Sequence, residues 1–176
     1  MDNRSSAPSP PSPFAIATRP PRGRLKRVLR VPVVLQRRGL GWIFGQRILI
    51  IEHRGRRTGK QYRTPVEVVA HDGAVASWTV VAAWGGRPEW FANIQANAAS
   101  AVFVAGHRYD APAQHLVDHD TAYDILAAYV CAHPIAARLV FRALGWPDPR
   151  VPGALRRVSE LVQMVTFVAA SPRRST

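Results

Sequence analysis

One strand-loop-strand segment indicates how this chain folds: Arg47-Ile-Leu-Ile-Ile-Glu-His-Arg-Gly-Arg-Arg-Thr-Gly-Lys-Gln-Tyr-Arg-Thr-Pro-Val-Glu-Val-Val-Ala70. Its first part, Arg47–His53, is a short apolar run rich in β-branched residues, which predicts a buried strand. A second strand is predicted at Tyr62–Ala70. The loop between them, Arg54–Lys60, therefore joins two strands. A P-loop or a Rossmann fingerprint needs glycines that open a helix, so neither context is met here.

The loop has the composition of an anion-binding turn. Gly55 and Gly59 allow the backbone to curl and to aim N–H groups inward. Four neighbouring side chains add charge and hydrogen bonds, namely Arg56, Arg57, Thr58 and Lys60. We predict a phosphate or polycarboxylate site, with a merely solvated basic hairpin as the alternative. The stretch from Arg19 to Arg63 holds 14 of the 24 Lys and Arg residues against one acidic residue, which favours the anion site.

Charge and cysteine content limit the classes of function. The formal net charge of +13 predicts an anionic partner, either nucleic acid, lipid headgroups or a phosphorylated or carboxylated ligand. The single cysteine, Cys131, excludes an internal disulfide and a cysteine-based zinc site, and we expect it to be buried in a helix. No apolar run approaches the roughly 20 residues that span a bilayer, so a cytoplasmic protein is expected.

The 176 residues are enough for one compact domain. Residues 1–21 are rich in Pro and Ser and predict a disordered tail rather than a secretory signal. Residues 22–170 are expected to form the single domain, beginning with a basic amino-terminal helix. Residues 171–176 form a basic tail.

Further elements follow the first two strands. Asp72-Gly73 is a two-residue hairpin signal, with Ala74–Ala83 as the return strand. A helix is predicted from Pro88 to Asn97, with one face formed by Trp90, Phe91 and Ile94. Strands are expected at Ala101–Ala105 and His107–Val117.

The carboxy-terminal third predicts two helices and a last strand. Asp118 or Asp120 is expected to cap a helix that carries Leu126 and Tyr129. A helix at Ile135–Leu144 follows, then a proline-containing loop at Trp146–Gly153 and a strand at Leu161–Ala170. Antiparallel strands with inserted helices favour an α+β barrel over a parallel α/β sheet.

Three motifs occur in order along the chain: Arg54-Gly-Arg-Arg-Thr-Gly-Lys60 with Arg63-Thr-Pro65, Val80-Val-Ala-Ala-Trp-Gly-Gly86, and Glu89-Trp-Phe-Ala-Asn-Ile-Gln-Ala-Asn97. Together they resemble the deazaflavin-dependent nitroreductase family, over roughly Gly39–Gly145. The resemblance implies a split β-barrel that binds coenzyme F420. It also implies an oxidoreductase that passes a hydride from the reduced coenzyme to a small or lipophilic acceptor, such as a quinone, nitroaromatic or enone.

The resemblance also implies where the coenzyme lies. Its phosphate and oligoglutamate tail would be bound by the loop residues Arg56, Arg57, Thr58, Gly59 and Lys60, with Arg63 and Pro65 bordering the same groove. The deazaflavin ring would lie along Ala82, Ala83, Trp84, Gly85 and Gly86. Trp90 and Asn93 would support the pocket from the helix. The proton donor is not identified, and Tyr62, Ser77 and His53 are candidates.

Departures from the family pattern leave the acceptor open. Tyr62 stands where many relatives have a basic residue, and Ala98 stands where a proline is common. The tyrosine cluster that some nitroreductases use around the acceptor is not found near the carboxy end, so reduction of nitroimidazoles is in doubt.

Several alternatives stay open from the sequence. An FMN-binding split-barrel reductase and a non-catalytic F420 carrier are the near ones, and a nucleic-acid-binding module is the alternative from another class. Residues 22–45 could contact an anionic membrane peripherally, and split barrels often form homodimers. His115 and His119 have a spacing that could hold a metal, but we expect a surface pair at a strand-to-helix boundary and no metal site.

Overall fold

The computed structural model describes residues 45–83 and 88–169. These residues form seven strands and four helices. In chain order the elements are β1 (Ile48–Arg54), β2 (Gln61–Asp72), β3 (Ser77–Ala82), α1 (Glu89–Ala96), β4 (Ala101–Val104), β5 (His107–Asp110), β6 (Ala113–Val117), α2 (His119–Ala132), α3 (Pro134–Ala143), α4 (Ala154–Leu161) and β7 (Gln163–Val168).

The seven strands form one antiparallel sheet in the order β5-β4-β1-β2-β3-β7-β6. Strands β5 and β6 lie at opposite ends of this order, yet only Ala111 and Pro112 separate them along the chain. The two ends of the sheet must therefore come together, and the sheet curls into a split β-barrel. The α+β split-barrel fold predicted from the sequence is confirmed.

The break between β5 and β6 contradicts the single strand predicted at His107–Val117. Ala111 has a left-handed backbone with φ of 42°, and Pro112 has no N–H to donate to a ladder. β5 consequently pairs with β4, whereas β6 pairs with β7.

Alternation along β1 decides which side chains fill the barrel. Leu49 and Ile51 are fully buried in the main core, together with Phe91 and Ile94 of α1. The intervening residues of β1 point to the outer face. A second core lies under the three carboxy-terminal helices and contains Leu126, Phe141, Trp146, Val158 and Met164.

The turn between β2 and β3 is longer than the predicted two-residue hairpin. Asp72 pairs with Ser77, so four residues form the connection. The Asp72 carboxylate accepts a hydrogen bond from Ala74 N–H at 2.8 Å, and Ala76 takes a left-handed φ of 46°. The side chain of Asp72 thus starts its own local turn, and β3 begins later than expected.

Helix α2 corrects the prediction for Cys131. The expected cap is present, because the Asp118 carboxylate accepts hydrogen bonds from Asp120 N–H and Thr121 N–H. The buried face of α2 contains Ala122, Leu126 and Tyr129. Cys131 lies two positions, or about 200°, beyond Tyr129 and is exposed.

Helix α4 was not predicted. Leu161, which was placed at the start of the last strand, is the final residue of this helix, and β7 begins at Gln163. The buried residues Ala154 and Val158 are four apart, so the helical spacing is present in the sequence. The helix is hard to recognise from the sequence because the charged, exposed residues Arg156, Arg157 and Glu160 lie around these two apolar positions.

The remaining organisational predictions fall largely outside the described residues. The basic amino-terminal helix, both tails and most of the proposed membrane-contact segment 22–45 belong to this part of the chain. Among the described residues, none of the helices has the length and apolar character needed to cross a membrane.

Candidate anion-binding site

The loop between β1 and β2 is a closed turn fixed by its own backbone. Gly55 N–H donates to Lys60 O and Gly59 N–H donates to Gly55 O, each at 2.8 Å. Gly59 has a φ of +66°, which strongly favours glycine. A Cβ on Gly55 would lie 2.8 Å from Thr58 Oγ1 and 2.9 Å from a Tyr62 ring carbon, so any larger residue would have to displace these two side chains.

Helix α1 holds this loop through Arg56. Arg56 N–H donates to Asn93 Oδ1 at 3.0 Å, and the Arg56 guanidinium donates to the same oxygen at 3.2 Å. The guanidinium also pairs with the Glu89 carboxylate at 2.7 Å, and this contact lowers the pKa of Glu89. Glu89 and Asn93 are four residues apart and share one helix face, which allows both to reach Arg56.

A buried histidine lies behind this contact. Asn93 Nδ2 is 3.3 Å from His53 Nδ1, and His53 Nε2 is 3.0 Å from Thr64 Oγ1. His53 is 3% exposed, and burial lowers its pKa although a hydrogen bond with the Arg54 backbone raises it. Both ring nitrogens are occupied, so the structure does not favour His53 as a proton donor to a substrate.

The loop presents two cations outward. The side chains of Arg57 and Lys60 are exposed, and neither makes a hydrogen bond or ion pair with any residue in the described ranges. Within the same ranges, the consecutive N–H groups of Arg57 and Thr58 have no acceptor. Thr58 Oγ1 accepts only a long contact, 3.4 Å, from Lys60 N–H. Paired N–H groups beside two cations are a suitable surface for an anion.

Arg63 and Pro65 lie on a different face of the sheet from the Asn93 contact. Arg63 pairs across the ladder with Glu52, and Pro65 pairs with Ile50, so both belong to the outer face of β1. The structure therefore does not bring Arg63 together with Arg56 and Asn93, although all three were predicted at one groove.

Arg63 is engaged in an ion cluster around buried Glu52. Arg63 Nε donates to Glu52 Oε2 at 2.8 Å and Arg63 NH2 lies 2.7 Å from the same oxygen, while Arg108 NH2 lies 3.1 Å from Oε1. Both guanidinium groups lie over the Phe103 ring, at 4.6 and 5.2 Å from its centroid. Burial by itself would raise the pKa of Glu52, but the two arginines outweigh it and the pKa is lowered.

The residues predicted along the coenzyme ring are described only in part. Ala82 is fully buried at the end of β3 and Ala83 is half-buried beside the second core. Trp84, Gly85 and Gly86 lie outside the described residues. Trp90 is buried edge-on to Phe91, with ring centroids 5.8 Å apart, and so supports α1 from the core.

The two spaced histidines are separated by an element boundary, as expected. His115 is exposed on β6, whereas His119 opens α2 and its Nδ1 lies 2.8 Å from Ser159 O. No cluster of three or more metal-ligating side chains occurs in the part of the chain that the structure describes.

Two residues of the site were missed or misjudged from the sequence. Glu89 was read only as part of a motif, yet it is the carboxylate that engages Arg56. Its spacing of four from Asn93 was the available signal. Glu52 is the single acidic residue between Arg19 and Arg63. The sequence gives no sign that it is buried beside Arg63, except that the two residues lie on neighbouring predicted strands.

One protein-family model matches this chain. The model of the F420H(2)-dependent quinone reductase family matches residues 30–133. Curated proteins give no match to the chain.

Three solved structures are similar to parts of this chain at low identity. An F420-H2 dependent reductase, FDR-A, has 17% identity and a TM-score of 0.46, covering 70% of this chain and 95% of that chain. A protein related to general stress protein 26, of the pyridoxinephosphate oxidase family, from Clostridium acetobutylicum has 10% identity and a TM-score of 0.41, covering 77% and 84%. A pyridoxamine 5'-phosphate oxidase-related, FMN-binding protein from Nostoc punctiforme PCC 73102 has 12% identity and a TM-score of 0.41, covering 78% and 77%.

Proposed function

The chain belongs to the F420H(2)-dependent quinone reductase family, and from this premise we propose that the loop Arg54–Lys60 binds the anionic tail of coenzyme F420. Membership makes the protein an oxidoreductase that uses F420, as the three motifs predicted. The nucleic-acid-binding alternative is not needed to explain the positive charge, because the coenzyme is itself an anion.

The observation that carries the proposal is two exposed cations on a closed glycine turn, neither of which forms an ion pair or side-chain hydrogen bond with the described residues, although Arg57 is close enough to help lower the pKa of Glu89. Arg57 and Lys60 extend from a backbone that two internal hydrogen bonds already fix. The N–H groups of Arg57 and Thr58 are directed to no acceptor among the described residues. A phosphate can accept from such N–H groups, and the flanking cations suit the further carboxylates of an oligoglutamate tail.

Arg56 has a different role in this proposal from the one expected for it. Its guanidinium is occupied by Glu89 and Asn93, so its contribution is to hold the loop against α1. Arg63 is likewise occupied by Glu52. Direct contact with the coenzyme is therefore assigned to Arg57, Thr58, Gly59 and Lys60, and Arg56 is a positioning residue.

The chemistry divides between coenzyme and protein. Bound F420H2 supplies a hydride for the acceptor. The chain's own residues bind the tail and orient the ring, for which Ala82, Ala83 and the segment 84–86 remain the proposed neighbours. A quinone is the acceptor class that the family name indicates, and reduction of nitroaromatics stays a prediction.

Binding measurements on a charge-removing variant test the coenzyme site. Arg57→Gln with Lys60→Gln is expected to weaken F420 binding by about 10- to 100-fold, since each lost charged contact on an exposed surface is worth about tenfold or less. Titration followed by the coenzyme's fluorescence gives the dissociation constant at fixed ionic strength.

A matched variant separates local contacts from net charge. Arg138→Gln with Arg142→Gln removes the same two charges from exposed positions on α3 and should leave the dissociation constant within about threefold. Equal weakening by both double variants would contradict the assignment of the loop. FMN, which carries one phosphate and no glutamates, should lose less affinity than F420 in the loop variant, and the reverse order would favour the FMN alternative.

The location of the protein, its contact with membranes and its oligomeric state remain predictions. A cytoplasmic location, peripheral contact of residues 22–45 with an anionic membrane, and homodimer formation are proposed on composition and fold-level analogy alone. Turnover of F420H2 with a quinone would separate an enzyme from a non-catalytic carrier.

A further inference from the structure

A chain of buried and partly buried hydrogen bonds links β2 to the loop Arg54–Lys60, here called the coenzyme loop. It runs from Thr64 through His53 and Asn93 to the backbone of Arg56. The Asn93 oxygen accepts two hydrogen bonds from Arg56, so the Asn93 amide nitrogen must be the atom that faces His53. His53 Nδ1 then accepts from Asn93, and the ring proton lies on Nε2, where it is donated to Thr64 Oγ1.

This arrangement works only with a neutral imidazole. A protonated His53 would carry hydrogen on Nδ1, which would face the donor Nδ2 of Asn93 across 3.3 Å. Rotating the Asn93 amide relieves that clash, but it turns the NH2 group towards Arg56 N–H. In either orientation one hydrogen bond of this chain is lost, and Arg56 is the residue that fixes the loop against α1.

We propose that His53 is a positioning residue for the coenzyme site, whose neutral form holds the Arg56 backbone and so keeps the loop in its anion-binding shape. F420 binding then weakens when His53 takes up a proton. The inference rests on the proposed function of the loop, and it adds to that function a dependence on pH.

The surroundings of His53 fix the pH range of this effect. Tyr62 stacks on the ring at 5.9 Å and Thr64 contacts it from β2, and Asn93 contacts it from α1. The charged pair beyond Asn93, Arg56 with Glu89, is already neutralised, and Glu52 points to the opposite face of β1. No carboxylate among the described residues contacts the ring, so burial lowers the pKa from its ordinary 6.5, although a hydrogen bond with the Arg54 backbone acts in the opposite direction. Affinity is therefore complete at neutral pH and is lost as the pH falls through the lowered pKa of His53, below the ordinary 6.5.

The expected change in F420 affinity with falling pH is opposite to the change that the net charge of the protein would cause. The chain has six histidines, and protonating exposed ones adds positive charge that would strengthen binding of an anion. The carboxylates of the coenzyme tail also begin to take up protons on the acid side, which weakens binding in every variant. The specific effect of His53 is therefore the part of the acid loss that wild type shows and His53→Gln lacks.

The test compares F420 affinity between pH 5 and 8, at fixed ionic strength, in wild type and four variants. Wild type is expected to weaken by about tenfold on the acid side, the factor of one lost buried hydrogen bond. His53→Ala should bind more weakly at all pH values. His53→Gln can accept from Asn93 and donate to Thr64 without titrating, so it should restore binding relative to His53→Ala and remove the His53 part of the acid loss. The control His71→Gln, at an exposed position on β2, should keep the wild-type profile.

Asn93→Asp provides the reciprocal change. An aspartate at this position can accept from both Arg56 N–H and a protonated His53, so the His53 part of the acid loss should disappear even though the added negative charge weakens binding overall. An acid loss in His53→Gln as large as that of wild type, or a wild type that binds more tightly in acid, would overturn the role of His53.

Failure of the proposed function is recognised separately. A wild type that does not bind F420 at pH 7.5 refutes the loop as a coenzyme site. In that case NMR of the coenzyme-free protein still tests His53: the Arg56 amide signal should shift with the titration of the His53 ring in wild type and stay constant in His53→Gln. An Arg56 amide that does not respond to pH in wild type contradicts the proposal.

Discussion

Replacing Glu52 by glutamine should destabilise the protein more than any single change on the coenzyme loop. The Glu52 side chain is 2% exposed, accepts one hydrogen bond from Arg63 Nε, and forms ion pairs with the guanidinium groups of Arg63 and Arg108. Glutamine has nearly the same shape, so the substitution removes the charge without leaving a large cavity. Two guanidinium groups over one Phe103 ring would then lack their shared carboxylate.

The expected loss in the free energy of unfolding depends on how exposed Arg63 and Arg108 are. Breaking a buried ion pair by removing one member costs about 3 to 5 kcal/mol. Arg63 is 27% exposed and Arg108 is 43% exposed, so water can solvate part of the released charge. Arg108 also keeps its contact with Asp110 at 2.7 Å. We therefore expect the free energy of unfolding to fall by about 3 kcal/mol, at the low end of that range.

Urea unfolding followed by tryptophan fluorescence measures this change. For a domain with an m-value of about 1–3 kcal/mol/M, the midpoint should move down by about 1–3 M while m stays constant. The control Arg108→Gln leaves the Arg63–Glu52 pair intact and should cost about 1 kcal/mol. A loss below about 1 kcal/mol for Glu52→Gln would show that the cluster contributes little and would refute the reasoning.

The same site predicts a pH dependence. The folded-state pKa of Glu52 lies below the ordinary 4.5, so its stabilisation is complete above about 4.5 and is lost as pH falls through the lowered value. Glu52→Gln should lack this part of the acid slope. An identical slope in both proteins would place the acid sensitivity elsewhere.

Two further predictions concern single contacts. Gly59→Ala should lower the free energy of unfolding by about 1 kcal/mol, because an alanine is strained at a φ of +66° even though no atom lies within 4 Å of the added Cβ. Gly59→Asn should cost less, because asparagine tolerates this conformation better. Equal urea midpoints for the two variants would contradict this. Tyr129→Phe removes the hydrogen bond to Glu67 at 2.8 Å and should cost about 1 kcal/mol. Because burial and Glu67 raise the pKa of Tyr129 above its ordinary 10, wild type should lose stability as pH rises above about 10, and the phenylalanine variant should lose less.

The elements that the sequence predicted correctly are those with a strong local signal. The apolar run Arg47–His53 and the glycines after it define β1 and the loop without reference to the rest of the chain. The ends of elements were less predictable where one residue's conformation decides them. The left-handed Ala111 splits one predicted strand into two, and an alanine gives no sequence signal for a positive φ.

The candidate site was predictable as a set of residues but not as a set of contacts. The sequence places four arginines within or beside one loop, and it does not tell which of them have partners. Arg56 is occupied by Glu89, which lies 33 residues later in the chain. That pairing exists only because α1 packs against the end of β1, so it depends on the tertiary structure.

In the proposed site, the division between cations that have partners among the described residues and cations that do not would account for how a strongly basic loop binds one ligand specifically. A flexible run of arginines would bind many anions and would lose conformational entropy on each occasion. Here Arg56 is held by Glu89 and Asn93, and the loop backbone is closed by its own hydrogen bonds, so the ordering cost is met during folding. Arg57 and Lys60 are then presented at fixed places on a formed surface. The carboxylate of Glu89 reduces the net positive charge of the loop, but in the proposed site it increases selectivity, because an anion must match the positions of the two remaining cations and the N–H groups between them.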